Sequence, residues 1–252
     1  MKIDFLKGVF WVFLFKILGA CSLLFINVLV SNYWGVESVG EFGILTSSLM
    51  MASLFSKVGL DTYIVKFASR IKPEDVYVLF FKALVITCAV SFPVGLFYVY
   101  LTKEFSILFL VILFSLFSVL PEFIRALGNS FDYSLVRGLS LNFFLFSILA
   151  LSIVFDLKPN FYLVYFIAIC LSLILFSVFY KKLDGTFIVH RISVNDLKTI
   201  FSETIFMQIS ALSVYFLGNF SILILSLYYD NEVVGKYYIV LQMTLVFNLV
   251  IT

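Results

Sequence analysis

A chain of 252 residues that is 63% hydrophobic and only 13% charged, with a mean hydropathy of +1.13, lies far outside the composition of soluble domains. A single soluble core, a disordered chain and a nucleic-acid-binding module are excluded at that step. The 17 Lys and Arg against 15 Asp and Glu give no electrostatic partner of either sign. Cys21, Cys88 and Cys170 all fall inside apolar runs, and His190 is the single histidine, so a disulfide framework and a histidine-based metal site or triad are excluded too. The composition is that of an integral membrane protein.

Apolar stretches of about 20 residues, the length that crosses a bilayer, follow in chain order at 9–31, 42–64, 77–101, 105–127, 139–155, 161–180, 204–227 and 236–252. No small-residue cleavage site follows the first, so 9–31 reads as a retained span. The fifth is short and can borrow from Arg137–Gly138. Positive residues alternate across the connections. One side carries Lys2 and Lys7, then Lys66, Arg70 and Lys72, then Arg125 and Arg137, then Lys181, Lys182, Arg191 and Lys198. The other side carries only Lys103, Lys158 and Lys236, and its first connection, 32–41, carries none. Lysine and arginine accumulate on the cytoplasmic side, which places the N-terminus inside. Every external connection is then short, leaving no room for an extramembrane catalytic domain. An enzyme is not expected.

The connection after span 1 reads Ser31-Asn-Tyr-Trp-Gly-Val-Glu-Ser-Val-Gly-Glu-Phe42, and that after span 7 reads Ser226-Leu-Tyr-Tyr-Asp-Asn-Glu-Val-Val-Gly-Lys-Tyr237. At a constant offset of 195, Ser31 meets Ser226, Tyr33 meets Tyr228, Glu37 meets Glu232, Val39 meets Val234 and Gly40 meets Gly235. Six spans separate the copies, so both enter the membrane in the same direction, as in transporters built from parallel repeats. The expected organisation is a first six-helix bundle at 1–180, a cytoplasmic connector at 181–203 with a turn at Asp184-Gly185, and the start of a second bundle at 204–252. A complete second half would end at about residue 390 on this offset, so the sequence is expected to be a truncated one.

These residues resemble a family. Lys7-Gly8 before an aromatic-rich first helix, the run Tyr33-Trp34-Gly35-Val36-Glu37-Ser38-Val39-Gly40-Glu41-Phe42, Val58-Gly59-Leu60 near the end of span 2, and Arg125-Ala126-Leu127-Gly128 after span 4 are similar to bacterial polysaccharide and O-antigen flippases. Those belong to the multidrug/oligosaccharidyl-lipid/polysaccharide exporter superfamily. The resemblance implies an all-α polytopic fold of 12 or more transmembrane helices, about eight of them in this sequence, as two parallel six-helix repeats around a central cavity. It implies a bacterial inner-membrane location and an undecaprenyl-pyrophosphate-linked oligosaccharide as cargo. Membrane lipids, a polysaccharide polymerase and chain-length machinery are the implied partners, with no nucleic acid. No cofactor is implied, and a coupling ion, H+ or Na+, is left open.

Charges inside a span are costly and tend to face a cavity. Lys16 in span 1 shares a helical face with Ala20, Leu23, Asn27 and Ser31; in span 2 the stripe is Gly43, Thr46, Met50, Ser53, Lys57 and Asp61. Lys16 and Lys57 sit at matched depth, and two ammonium groups on cavity-facing stripes would suit a pyrophosphate head group. The competing reading is that both snorkel to the inner head groups, with Asp61 simply pairing with Lys57. Asp61 is also the candidate coupling carboxylate. Lys82 is read as snorkelling, and Glu122 with Arg125 as an i,i+3 pair at the inner rim. Gln208, Tyr215 and Asn219 form the matching stripe of span 7, with helix–helix hydrogen bonding as the alternative. Pro93 and Pro121 interrupt the ladders of spans 3 and 4. The 32 Phe and 14 Tyr are read as mostly lipid-facing bulk and interfacial belt. The runner-up function is a drug or small-molecule antiporter of the same superfamily, followed by a membrane polymerase and a structural subunit.

Overall fold

The computed structural model of the chain describes residues 2–68, 73–180 and 194–251, and it is helical throughout with no strand among them. The helices are α1 (Lys2–Trp34), α2 (Val36–Lys57), α3 (Leu60–Ala68), α4 (Pro73–Thr102), α5 (Ser106–Val119), α6 (Pro121–Ala126), α7 (Ser130–Ser134), a π-helix (Leu135–Ser140), α8 (Leu141–Val154), α9 (Phe161–Tyr180), α10 (Val194–Gly218), α11 (Phe220–Tyr228) and α12 (Asn231–Ile251). Six helical stretches among the described residues are long and apolar enough to cross a bilayer: Gly8–Trp34, Val36–Lys57, Val78–Thr102, Ser106–Ala126, Ser130–Val154 and Phe161–Tyr180. The protein is an all-α, multi-pass membrane protein. Arg70, Lys72, His190, the Asp184-Gly185 turn and residues 181–193 of the expected connector lie outside the described residues, while 194–203 are helical.

The first connection is far tighter than the expected 32–41. A single residue, Gly35 at φ +88°, joins α1 to α2. Only glycine takes that left-handed turn without steric cost. Glu37 then lies in the first turn of α2, where a carboxylate favours the helix dipole, and the Ser38 hydroxyl donates to the Trp34 carbonyl at 3.0 Å. The expected loop 226–237 shrinks likewise to Tyr229 and Asp230.

Two compact units divide the chain. One comprises Met1–Ser48, Ser134–Ser172 and Leu217–Thr252. Within it α1 packs on the π-helix, on α8 and on α12. Apolar packing gains little over lipid tails, so small residues that allow close backbone approach must hold such helices together. Gly19 does this against Gly138: a Cβ on Gly19 would stand 2.0 Å from the Gly138 carbonyl oxygen. The Asn142 amide donates to the Gly19 carbonyl at 2.9 Å beside it. Gly19→Ala is therefore expected to separate α1 from the π-helix and lower the unfolding midpoint in detergent, whereas an unchanged midpoint would show that this approach does not hold the unit together. The fifth span gains its length here, since the π-helix and α7 extend it back to Ser130.

The second unit comprises Leu49–Tyr133 and Leu173–Phe216. α4 and α5 form a hairpin turned by Lys103 at φ +62°, with Gly95 seated against Leu108. α4 runs through Pro93, while Pro121 opens the new segment α6, where its missing amide costs nothing. Phe80 stacks on Tyr180 at 4.7 Å and meets Phe123 edge-on at 5.1 Å.

Many aromatic side chains are exposed, as Phe25, Phe97 and Phe206 are, but several are not. Phe42, Phe117, Phe123, Tyr165 and Tyr238 are among the most buried side chains of the protein. Each fills space beside a small or flat neighbour: Phe42 stacks on Tyr165 at 5.4 Å, and Tyr238 lies over Gly43.

Candidate functional site

The polar stripe of α2 is buried and largely satisfied by its own helix. The Thr46 hydroxyl is 2.7 Å from the Phe42 carbonyl and 2.5 Å from the Tyr165 hydroxyl. Ser53 donates to Met50 at 2.9 Å and Ser56 to Ala52 at 2.8 Å. Hydroxyls that return to a carbonyl one turn back need no water, so the stripe does not require an aqueous lining.

Lys57 closes the last turn of α2, and Asp61 opens α3 across a break at Val58 (φ +48°) and Gly59 (φ +73°). Their side chains meet at 2.5 Å and are 10% and 22% exposed. The cation sits at a helix C-terminus and the anion at a helix N-terminus, the favourable end for each. Asp61 also accepts from the Thr62 amide at 2.9 Å. Of the two readings open for Lys57, the geometry is that of pairing.

α10 is seated on this break. The Gln208 side-chain amide donates to the Leu54 carbonyl, and a Cβ on Gly59 would stand 2.9 Å from both Cβ and carbonyl oxygen of Thr204. Lys66 and Glu203 approach to 3.7 Å nearby. The expected residues Lys57, Asp61 and Gln208 thus belong to one cluster. Gln208 serves helix–helix hydrogen bonding, although its carbonyl oxygen is buried with no partner among the described residues. α6 packs on α3 and carries the expected inner-rim pair: Glu122 is buried, receives Tyr133 at 3.0 Å and meets the half-exposed Arg125 at 3.5 Å. Tyr215 is buried in the same unit.

The remaining candidates belong to the other unit. Lys16 is exposed on α1. Asn27, on the same sequence stripe, is 1% exposed, and neither atom of its amide meets a hydrogen-bond partner among the described residues. One stripe therefore holds two environments. Asn219 sits at the turn between α10 and α11 and makes no side-chain cap there.

A second arrangement in that unit was legible only as sequence similarity. A Cβ on Gly40 would stand 1.9 Å from the carbonyl oxygen of Asn231, and a Cβ on Gly235 would stand 2.2 Å from that of Val36 and 2.9 Å from the Gly40 amide nitrogen. Gly43 faces the Tyr238 ring, 2.8 Å from where its Cβ would be. Val36, Gly40 and Gly43 of α2 lie 195 positions before Asn231, Gly235 and Tyr238 of α12. The two contacts exchange when the helices are exchanged, and the Gly43–Tyr238 contact maps onto itself. Thr46, Tyr165 and Tyr238 were missed as a buried polar group; the pairing of Gly43 with a bulky Tyr238 at the same offset was the available signal.

Comparison with protein-family models, with curated proteins and with solved structures finds no match for this chain.

Proposed function

We propose that the protein is a two-half transporter of parallel repeats, acting as a flippase for undecaprenyl-pyrophosphate-linked oligosaccharide in the bacterial inner membrane, with its N-terminus cytoplasmic. The observation that carries the two-half reading is the reciprocal glycine contact between α2 and α12. Equal residues meeting their own counterparts is the mark of a two-fold relation, and parallel repeats are related by such an axis along the membrane normal. All eight spans belong to this reading, with α10 and α11 together making the seventh and α12 the eighth.

The cargo assignment rests on the sequence resemblance and on Lys16, an exposed ammonium eight residues beyond Gly8 that has no ion pair among those described. A cation within a span and with no ion pair among the described residues suits a phosphate better than does Lys57, whose charge Asp61 already neutralises. Translocation changes no bond, so the residues bind and release rather than catalyse. The test is deletion of the gene with measurement of lipid-pyrophosphate-linked oligosaccharide facing the cytosol. Accumulation is expected, cleared by the intact protein and cleared at least tenfold more slowly by Lys16→Ala. Absence of any accumulated lipid-linked sugar would overturn the flippase and favour the antiporter.

A further inference from the structure

We propose that Val58–Gly59 is a two-state hinge within span 2, seen here bent, whose other state is one continuous helix through α2 and α3. Four observations meet at this point. The hydropathy of the sequence runs unbroken over 42–64, yet the helix is interrupted at its most conformationally costly place. Val58 is β-branched and stands at φ +48°, a region that such residues rarely occupy. Strain of this kind persists only where the surroundings impose it. Here α10 imposes it, through Thr204 wedged against Gly59 and Gln208 fastened to Leu54.

The ion pair across the break is the fourth observation. Lys57 and Asp61 are four residues apart, the spacing at which side chains meet on an uninterrupted α-helix. The pair therefore fits the straight state as well as the bent one, and keeps both charges compensated throughout the movement. Straightening returns Val58 to right-handed geometry and lifts α3 away from α6 and α10. The cost is loss of the Gln208 clasp, whose amide already leaves its carbonyl oxygen buried with no partner among the described residues. Opposed terms of this kind, strain against a half-satisfied clasp, make a bistable element rather than a fixed corner.

The amides of Leu60 and Asp61 precede the first helical bond of α3, from Tyr63 to the Gly59 carbonyl at 3.1 Å. A continuous helix would pair both with carbonyls of α2. Hydrogen exchange at Leu60–Thr62, measured on the full chain in lipid nanodiscs, reads the balance without reference to transport. Gly59→Ala disfavours the left-handed bend and should slow exchange there about tenfold, while Val58→Gly favours the bend and should leave exchange as fast or faster. Thr204→Gly removes the wedge without adding an atom, and should slow exchange in the same direction should Gly59→Ala not fold. A fixed corner predicts the reverse: exchange at Leu60–Thr62 unchanged or faster in both Gly59→Ala and Thr204→Gly. That result overturns the hinge and leaves the flippase proposal standing.

Discussion

Gly40→Ala is expected to unseat α12 from α2 and to be among the most damaging single-methyl changes in the protein. The added carbon would lie 1.9 Å from a backbone carbonyl oxygen, which cannot rotate aside as a side chain can. Overpacking a close contact costs roughly 1–3 kcal/mol when side chains can shift, and a backbone neighbour puts this site at about 3 kcal/mol or above. Gly235→Ala should match it, because its Cβ meets the Val36 carbonyl oxygen at 2.2 Å. The double variant should cost little more than either single one, since one separation relieves both clashes; residues sharing a contact are not additive. Gly218→Ala is the control: nothing lies within 4 Å of its Cβ, so it should stay within about 0.5 kcal/mol of the parent. Equilibrium unfolding in lipid nanodiscs measures all four. Full additivity of the two glycine changes would mean that the contacts are independent, and the two-fold reading would lose its support.

Asp61→Ala should cost about 3–5 kcal/mol, the penalty for leaving a buried ammonium without its partner. Lys57 has few alternatives: its side chain is 10% exposed, and Asp61 at 2.5 Å is its one ion-pair partner among the described residues. Lys57→Met leaves the better-solvated carboxylate, which keeps the Thr62 amide as a donor at 2.9 Å, so its cost should be smaller. Replacing both, with Lys57→Met and Asp61→Leu, should recover most of the loss, because an apolar pair has no charge to desolvate. The cycle of the three variants therefore predicts a coupling of several kcal/mol that salt barely screens. Equal, additive losses from the two single changes would show that the two groups stand apart in the membrane.

The long helices were readable because apolar length alone specifies a span, and Phe161–Tyr180 matches the sequence reading to the residue. The ends were not, because polarity was taken as the mark of a loop. Asn32, Glu37 and Glu41 are polar yet helical; a single glycine turn suffices, and carboxylates near the start of α2 favour its dipole. The break in span 2 was hidden for the opposite reason. Val58 gives no turn signal, and the bend depends on Thr204 and Gln208, far along the chain. Facial stripes predicted neighbours on one helix but not their surroundings, as Lys16 and Asn27 demonstrate. The offset of 195 aligned two stretches of sequence, Gly40 with Gly235 among them, but it did not say which residues of α2 and α12 would touch.

The hydroxyls buried in these helices have a bearing on how the protein is made. Ser56, Ser115, Ser140 and Ser172 each bond to a carbonyl of their own helix, at 2.8, 2.6, 2.6 and 2.8 Å. Such a helix can leave the translocon one at a time with those groups already satisfied, and needs no neighbour to be waiting in the lipid. Asn142 and Gln208 differ, since their acceptors, Gly19 and Leu54, belong to helices synthesised more than a hundred residues earlier. Those two donors gain their bonds only when their own helix packs on one already made, and the Gln208 carbonyl oxygen is left without a partner among the described residues even then.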